Sequence, residues 1–247
     1  MPSWPLLLAA SLLCPAIAVG ATLRMCTDVN PHLPYLTPDG GGTVGLLVAA
    51  AARETGVVLV VHPASLARCR AEVFINLVHG FPMTPYMPEL LTFAAYPMRG
   101  NAPDAARAVV SARIMLFRRI GAPVAWDGKR LTGLARPVLV AAGSVTVREL
   151  FKASATPVDE NGKSLEVNLA KMMAGRGELA AGFEEEGVAL LRLPRFAGKV
   201  EMLPLPLVVK DYYLAVSKDY YFVHRAQVER MWDAIGRLNQ AAKAKIK

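Results

Sequence analysis

Charged and aromatic side chains are both scarce in this sequence. Only 19% of the 247 residues are charged and 7% aromatic, against 53% hydrophobic, a balance that excludes a disordered polyampholyte. Long apolar runs are missing too: beyond the first 21 positions none reaches the roughly 20 residues of a membrane-spanning helix. No internal repeat of fixed period is present, which removes solenoids and propellers. The four histidines, His32, His62, His79 and His224, never fall in HxH, HxxxH or HExxH spacing, and CxxC is absent. No metal site is therefore expected. GxSxG is absent as well, and with it the strand-turn-helix elbow of a serine hydrolase. What remains is a chain long enough to bury a sizeable core, as one large domain or two lobes of about 100 residues each.

The first 21 residues carry no charged side chain and hold one apolar stretch, Leu6–Leu13. Small residues follow at Ala16, Ala18, Gly20 and Ala21, the pattern of an export signal cleaved after Gly20 or Ala21. Pro2, Pro5 and Pro15 count against a buried helix instead. A lipid anchor on Cys14 is excluded, because bulky Leu13 precedes it where a lipoprotein signal needs a small residue. Removing residues 1–21 leaves two of three cysteines, Cys26 and Cys69. In an oxidising compartment these are natural disulfide partners, with two free buried thiols as the alternative. Closing that loop of about 44 residues would stabilise the fold by ~4 kcal/mol on the chain-entropy account.

The rest of the chain alternates strand and helix texture. Leu23–Cys26 reads as a strand running into a proline- and glycine-rich loop, Thr27–Gly42. Val44–Thr55 places Leu47, Val48 and Ala51 on one helical face, and Gly56 stops it. Val57–Val61 is a β-branched run, expected of a strand buried on both faces. Leu66–Leu77 is helical, Val109–Arg118 strand-like, and Trp126-Asp127-Gly128 a turn. Val138–Ala142 predicts a strand leading through Gly143-Ser144-Val145 into a helix that begins near Thr146. Ser164 caps a further helix that ends before Gly175, and Leu207–Ser217 is again strand-like. The last helix carries Val228, Met231, Trp232, Ile235 and Leu238 on one stripe, with Asp233 and Arg237 as an i,i+4 pair. This order predicts an α/β fold with parallel strands and crossover helices.

Three features invite a functional reading and do not sustain it. The net charge of +8 lacks the clustering of basic residues with stacking aromatics that a nucleic-acid face needs. Lys243, Lys245 and Lys247 read as a solvated terminus. Gly40-Gly41-Gly42-Thr43-Val44-Gly45 matches GxGxxG, yet a dinucleotide site needs that turn straight out of a strand, so it is a flexible glycine turn. Glu184-Glu185-Glu186 reads as a solvated acidic run.

The succession Leu23-Arg24-Met25-Cys26-Thr27-Asp28, Asn30-Pro31, Leu33-Pro34-Tyr35, Pro38-Asp39-Gly40 and Gly45-Leu46 resembles the opening of the family 3 extracellular solute-binding proteins of ABC importers. Further matches follow in order at Arg68-Cys69, Ala71-Glu72, Thr84-Pro85, Pro88-Glu89 and Tyr96-Pro97-Met98. After them come Trp126-Asp127-Gly128-Lys129, Gly143-Ser144, Leu169 with Ala174-Gly175-Arg176, and Tyr212–Lys218. The resemblance implies the type II periplasmic binding fold: two lobes, each a mixed, mostly parallel sheet flanked by helices, joined by two crossing strands. Residues 22–112 plus 206–247 would form the first lobe and 113–205 the second, with ligand in the cleft between them.

Site residues implied in the same way are Asp28, Asn30 and Tyr35 on the loop after the opening strand, and Met83 and Thr84 further along the first lobe. In the second lobe they are Gly143, Ser144 and Val145 at a helix N-terminus, where free N–H groups suit an anion, and Glu184 as an acid for a ligand amino group. The implied protein is a periplasmic, non-enzymatic monomer without a cofactor. It would bind a small molecule (amino-acid-like, organic acid or aromatic) for an ABC transporter membrane component or for sensing. An accessory role for another periplasmic protein, with a degenerate cleft, is the alternative. An enzyme would need a cleft acid or base, and Glu184 is the only carboxylate to nominate. One departure bears on the ligand: Leu90 stands where amino-acid binders of the family carry a carboxylate-clamping arginine. The segment Gly80–Pro88, rich in proline and methionine, suits a hydrophobic ligand. Expressed with its leader in a bacterium with two membranes, the exported protein is expected to begin at Ala21 or Thr22 on N-terminal sequencing. Retention of residues 1–20 would overturn the export reading.

Overall fold

Leu23 and Met25 alternate with exposed Thr22 and Arg24, the period of a strand, and from Cys26 to Asp28 both faces are buried. That strand, β1 (Thr22–Asp28), opens a computed structural model that describes residues 21–244. The expected export signal, apart from Ala21, and the terminal Lys245 and Lys247 lie outside the described residues. After β1 come α1 (Gly42–Thr55), β2 (Val58–Ala64), α2 (Leu66–Phe74), β3 (Gly80–Pro85), β4 (Ala94–Ala95) and a hairpin of β5 (Met98–Arg99) with β6 (Ala102–Pro103). The middle of the chain forms β7 (Val110–Arg119), a hairpin of β8 (Ala125–Trp126) with β9 (Leu131–Thr132), β10 (Val138–Ala141) and α3 (Val145–Ala153). Then follow β11 (Val158–Gly162), α4 (Leu165–Met173), β12 (Leu179–Phe183), α5 (Glu184–Leu191), β13 (Val200–Met202), β14 (Val208–Ser217) and α6 (Lys218–Ala244).

The long strands lie in the order β11-β10-β12-β7-β14-β3-β1-β2. Pairing is parallel at both ends, β1 with β2 and β3, β10 with β11 and β12, as crossover helices demand. Between those ends β7 and β14 run antiparallel to each other and to their outer neighbours. Buried side chains gather in two groups. One combines Leu23–Ala112 residues with Tyr212–Ile235, on both faces of β1 and β3. The other draws on Ile114–Leu203 and flanks β10 and β12. Among the described residues no helix is long and apolar enough to cross a membrane.

Local signals act as their chemistry requires. Gly56 ends α1 in the left-handed region, φ 70°, and Ser164 caps α4 by accepting from the Val167 N–H. The GxGxxG run is a steric device: a Cβ at Gly45 would stand 2.0 Å from the Gly40 carbonyl oxygen, and Gly40 and Gly42 have φ of +83° and +81°. The Trp232 indole donates to the Leu214 carbonyl at 2.8 Å, tying α6 to β14.

Three expectations change. β2 is an edge strand, paired only with β1, and Val58 and Val60 are exposed; a β-branched run reports strand propensity, not burial on both faces. The helix expected to Leu77 stops at Phe74, and Asn76 turns the chain at φ 56°. Asp233 and Arg237 find other partners, Arg107 at 2.6 Å and Glu54 at 2.6 Å, because both α1 and the segment before β7 pack on α6.

Cys26 on β1 and Cys69 on α2 form a disulfide, with both residues buried. It staples α2 to the sheet. Reduction, or the Cys26→Ser and Cys69→Ala double replacement, is expected to remove about 4 kcal/mol of stability, a fall in melting temperature on the order of 10 °C. Identical denaturant curves with and without reductant would contradict that role.

Candidate functional site

Two lobes folded on parallel strands leave a crevice beyond the strand ends, where connecting loops face one another. Here that crevice holds a cavity of about 150 Å³. One wall comes from the loop after β1 (Asp28, Pro31, His32, Leu36), from α2 (Leu66, Arg70) and from the stretch Phe81–Pro85 with Met87 and Leu90. The opposite wall is Gly143–Val147, Lys163–Leu165 and Gly182, Phe183 and Glu186. Ile114 of β7 and Tyr212 of β14 lie between the two.

The loop after β1 is held by its own acid. Asp28 is buried; its Oδ1 accepts the Asn30 N–H at 3.1 Å and its Oδ2 lies 2.9 Å from His32 Nε2. Thr27 anchors the far end of the loop by donating to the Pro38 carbonyl at 2.6 Å. Leu90, on a short 3₁₀ turn (Pro88–Thr92), is buried and presents an apolar surface to the cavity.

The second wall is built from helix starts. Ser144 precedes α3 and Ser164 precedes α4. The Ser144 and Val145 amides are already engaged by the Ala141 and Gly143 carbonyls, at 3.1 and 2.8 Å. An anion at this helix end must therefore use amides further along, those of Thr146 and Val147. Gly143 allows close approach of the walls: at its φ of +82° a Cβ would stand 2.7 Å from Leu66 Cδ1.

The three consecutive glutamates part company because successive residues on a helix point about 100° apart. Glu184 pairs with Arg113 Nε at 2.5 Å. Glu185 accepts the Tyr35 hydroxyl hydrogen. Glu186 faces the cavity, where burial pushes its pKa up to about 7 against the opposing pull of His32 and the Leu165 N–H. The run is thus divided among three environments, which corrects its reading as one solvated face.

Six of the sequence-predicted positions, Asp28, Met83, Thr84, Gly143, Ser144 and Val145, line the cavity. Asn30 instead supports Asp28, and Glu184 is engaged by Arg113. Tyr35 is buried beside it, its ring edge-on to Phe183 at a centroid distance of 5.3 Å, so it bridges the two walls rather than lining the space. Sequence reasoning did not find His32, Arg70, Lys163 and Glu186, which with Asp28 are the acidic and basic side chains of the lining. Only His32 left a trace, four residues after an acid. The other grouping of ligand-type side chains, Cys26, His62 and Glu72, lacks a free thiol, and Arg68 and His62 lie 2.6 and 2.9 Å from Glu72.

No protein-family model and no curated protein sequence matches the chain. Solved structures do. A histidine kinase sensor domain with similarity to periplasmic binding proteins superposes with TM-score 0.71 at 13% identity, covering 92% of this chain and 94% of that one. The GluR0 ligand-binding core from Nostoc punctiforme, in complex with L-glutamate, gives 0.66 at 14% identity, covering 89% and 94%. The substrate-binding protein of an amino acid ABC transporter gives 0.66 at 13%, covering 90% and 95%. The chain therefore has the two-lobed periplasmic-binding-protein-like fold.

Glu186 has a measurable signature. The folded protein holds this proton up to about pH 7, whereas the unfolded chain gives it up near the ordinary 4.5. The group is therefore harmless below pH 4.5 and destabilises progressively as pH rises to 7. Glu186→Gln is expected to match the parent at pH 4 and to exceed its stability at pH 8 by up to about 3 kcal/mol. Urea titrations at both pH values check this, and an equal difference at each would refute it.

Proposed function

We propose that this chain is an exported, non-enzymatic solute-binding protein that captures a small solute between its lobes, for ABC-type import or for sensing. The observation that carries the reading is the distribution of polar groups. Asp28, His32, Arg70 and Thr84 reach the cavity from one side and Ser144, Lys163 and Glu186 from the other. A solute that touches both walls binds the closed arrangement better than an open one, and that differential affinity is what drives closure. The lobes are taken as residues 22–112 plus 206–247, and 113–205. The leader pattern and the Cys26–Cys69 disulfide support a periplasmic location. The solved structures support solute binding by analogy, since they include an amino acid transporter's binding protein and a glutamate complex.

A second reading, an accessory protein with a degenerate cleft, draws on a different observation. Tyr35 and Glu185 already join the two walls, and the Tyr35 and Phe183 rings pack across the same seam. Lobes held together without a solute could present one fixed surface to a protein partner.

Melting of the mature chain against amino acids, polyamines, organic acids and aromatic solutes separates the two. A solute at 100 times its dissociation constant adds ~2.7 kcal/mol, a rise of roughly 5–10 °C for a chain of this size. A rise of that order for one chemical class is expected. A flat response across the panel, with a stoichiometric protein partner on purification, would replace the first reading by the second.

A further inference from the structure

The charged groups of the cavity are unevenly satisfied. Asp28 holds Asn30 and His32 within the protein, and burial favours the protonated form of Glu186. The cations differ. Arg70 is half-buried on α2, and the one acid of that helix, Glu72, lies 2.6 Å from Arg68 on another face. Lys163, just before α4, reaches the cavity from the opposite side. Among the described residues neither cation has an acidic partner within ion-pair distance. Thr84 apart, the stretch of the first wall that faces the second lobe is hydrophobic, with Phe81, Met83, Met87 and Leu90.

We infer, resting on the solute-binding reading, that the cleft is specific for a small apolar or aromatic carboxylate without an ammonium group, its carboxylate held by Arg70 and closed upon by Lys163. A guanidinium offers a planar pair of donors to a carboxylate, and a flexible lysine on the other lobe adds a second charge once the lobes meet. A volume of about 150 Å³ suits a body about the size of benzene. An ammonium group would find Asp28 engaged on both oxygens, and Glu186 would have to ionise against its burial to pair with it. Leu90 then belongs to the recognition of the apolar body, and the anion is met from α2.

The test uses mature protein and four matched probes in isothermal titration at low ionic strength: benzoate, benzamide, benzylamine and phenylalanine. Benzoate is expected to bind best of the four. Arg70→Gln is expected to weaken benzoate at least tenfold and Arg70→Lys less; Lys163→Gln, an independent change on the other lobe, weakens it several-fold. Melting curves confirm that each variant is folded. Preference for phenylalanine or benzylamine, or unchanged benzoate affinity in both glutamine variants, overturns this inference while leaving solute binding intact. Failure of every solute in the wider melting panel overturns the solute-binding reading itself.

Discussion

Everything in this molecule hangs on the antiparallel ladder between β7 and β14. Five residue pairs, from Val110 opposite Tyr212 to Ile114 opposite Val208, are the sheet contact between two otherwise separate parallel groups. Past Ile114, β7 turns to β12; past Tyr212, β14 turns to β3. Each long strand thus serves one group with one half of its length and the other group with the other half. The ladder ends, Ile114 and Tyr212, are also floor residues of the cavity. The same hydrogen bonds that join the lobes therefore fix the floor of the cavity. On the closure mechanism proposed above, a rotation about this ladder would move the two walls relative to each other.

Much of that frame was legible in the sequence, because its signals are local and redundant. Gly56 and Gly175 mark helix ends, Ser164 a helix start, and the alternation of apolar runs with amphipathic segments gives the crossover pattern. Burial was less legible. The run Val57–Val61 has the composition of a central strand, yet position in the sheet depends on connections elsewhere, and β2 ends at the edge. The Asp233 and Arg237 pairing failed for a related reason. An i,i+4 pair is worth only a few tenths of a kcal/mol, less than partners brought in by neighbouring elements can offer.

The site divides along the same line. Positions at strand ends and helix starts, such as Asp28, Thr84 and Gly143–Val145, reach the cavity because topology carries them there. Side-chain direction within a loop or a helix turn does not follow from spacing alone. Tyr35 crosses to Glu185, and it is the third glutamate of the acidic run, not the first, that faces the cavity. Arg70 gave no signal at all, since one more basic residue on a short helix with Arg68 reads as a solvated face.

The disulfide sits closer to the cavity than a stabilising crosslink needs to. Cys26 lies two residues before Asp28, and Cys69 immediately before Arg70. One covalent bond thus anchors the strand end that carries the loop acid and the helix that carries the cation. The first-lobe half of the cavity is held by a covalent crosslink, and on the proposed solute-binding role little of the binding free energy would go into ordering it. The second lobe contributes helix starts and an exposed lysine, with no such crosslink among the described residues. If the cleft binds a solute as proposed, recognition would be asymmetric, with the crosslinked half as the template and the other half closing on it.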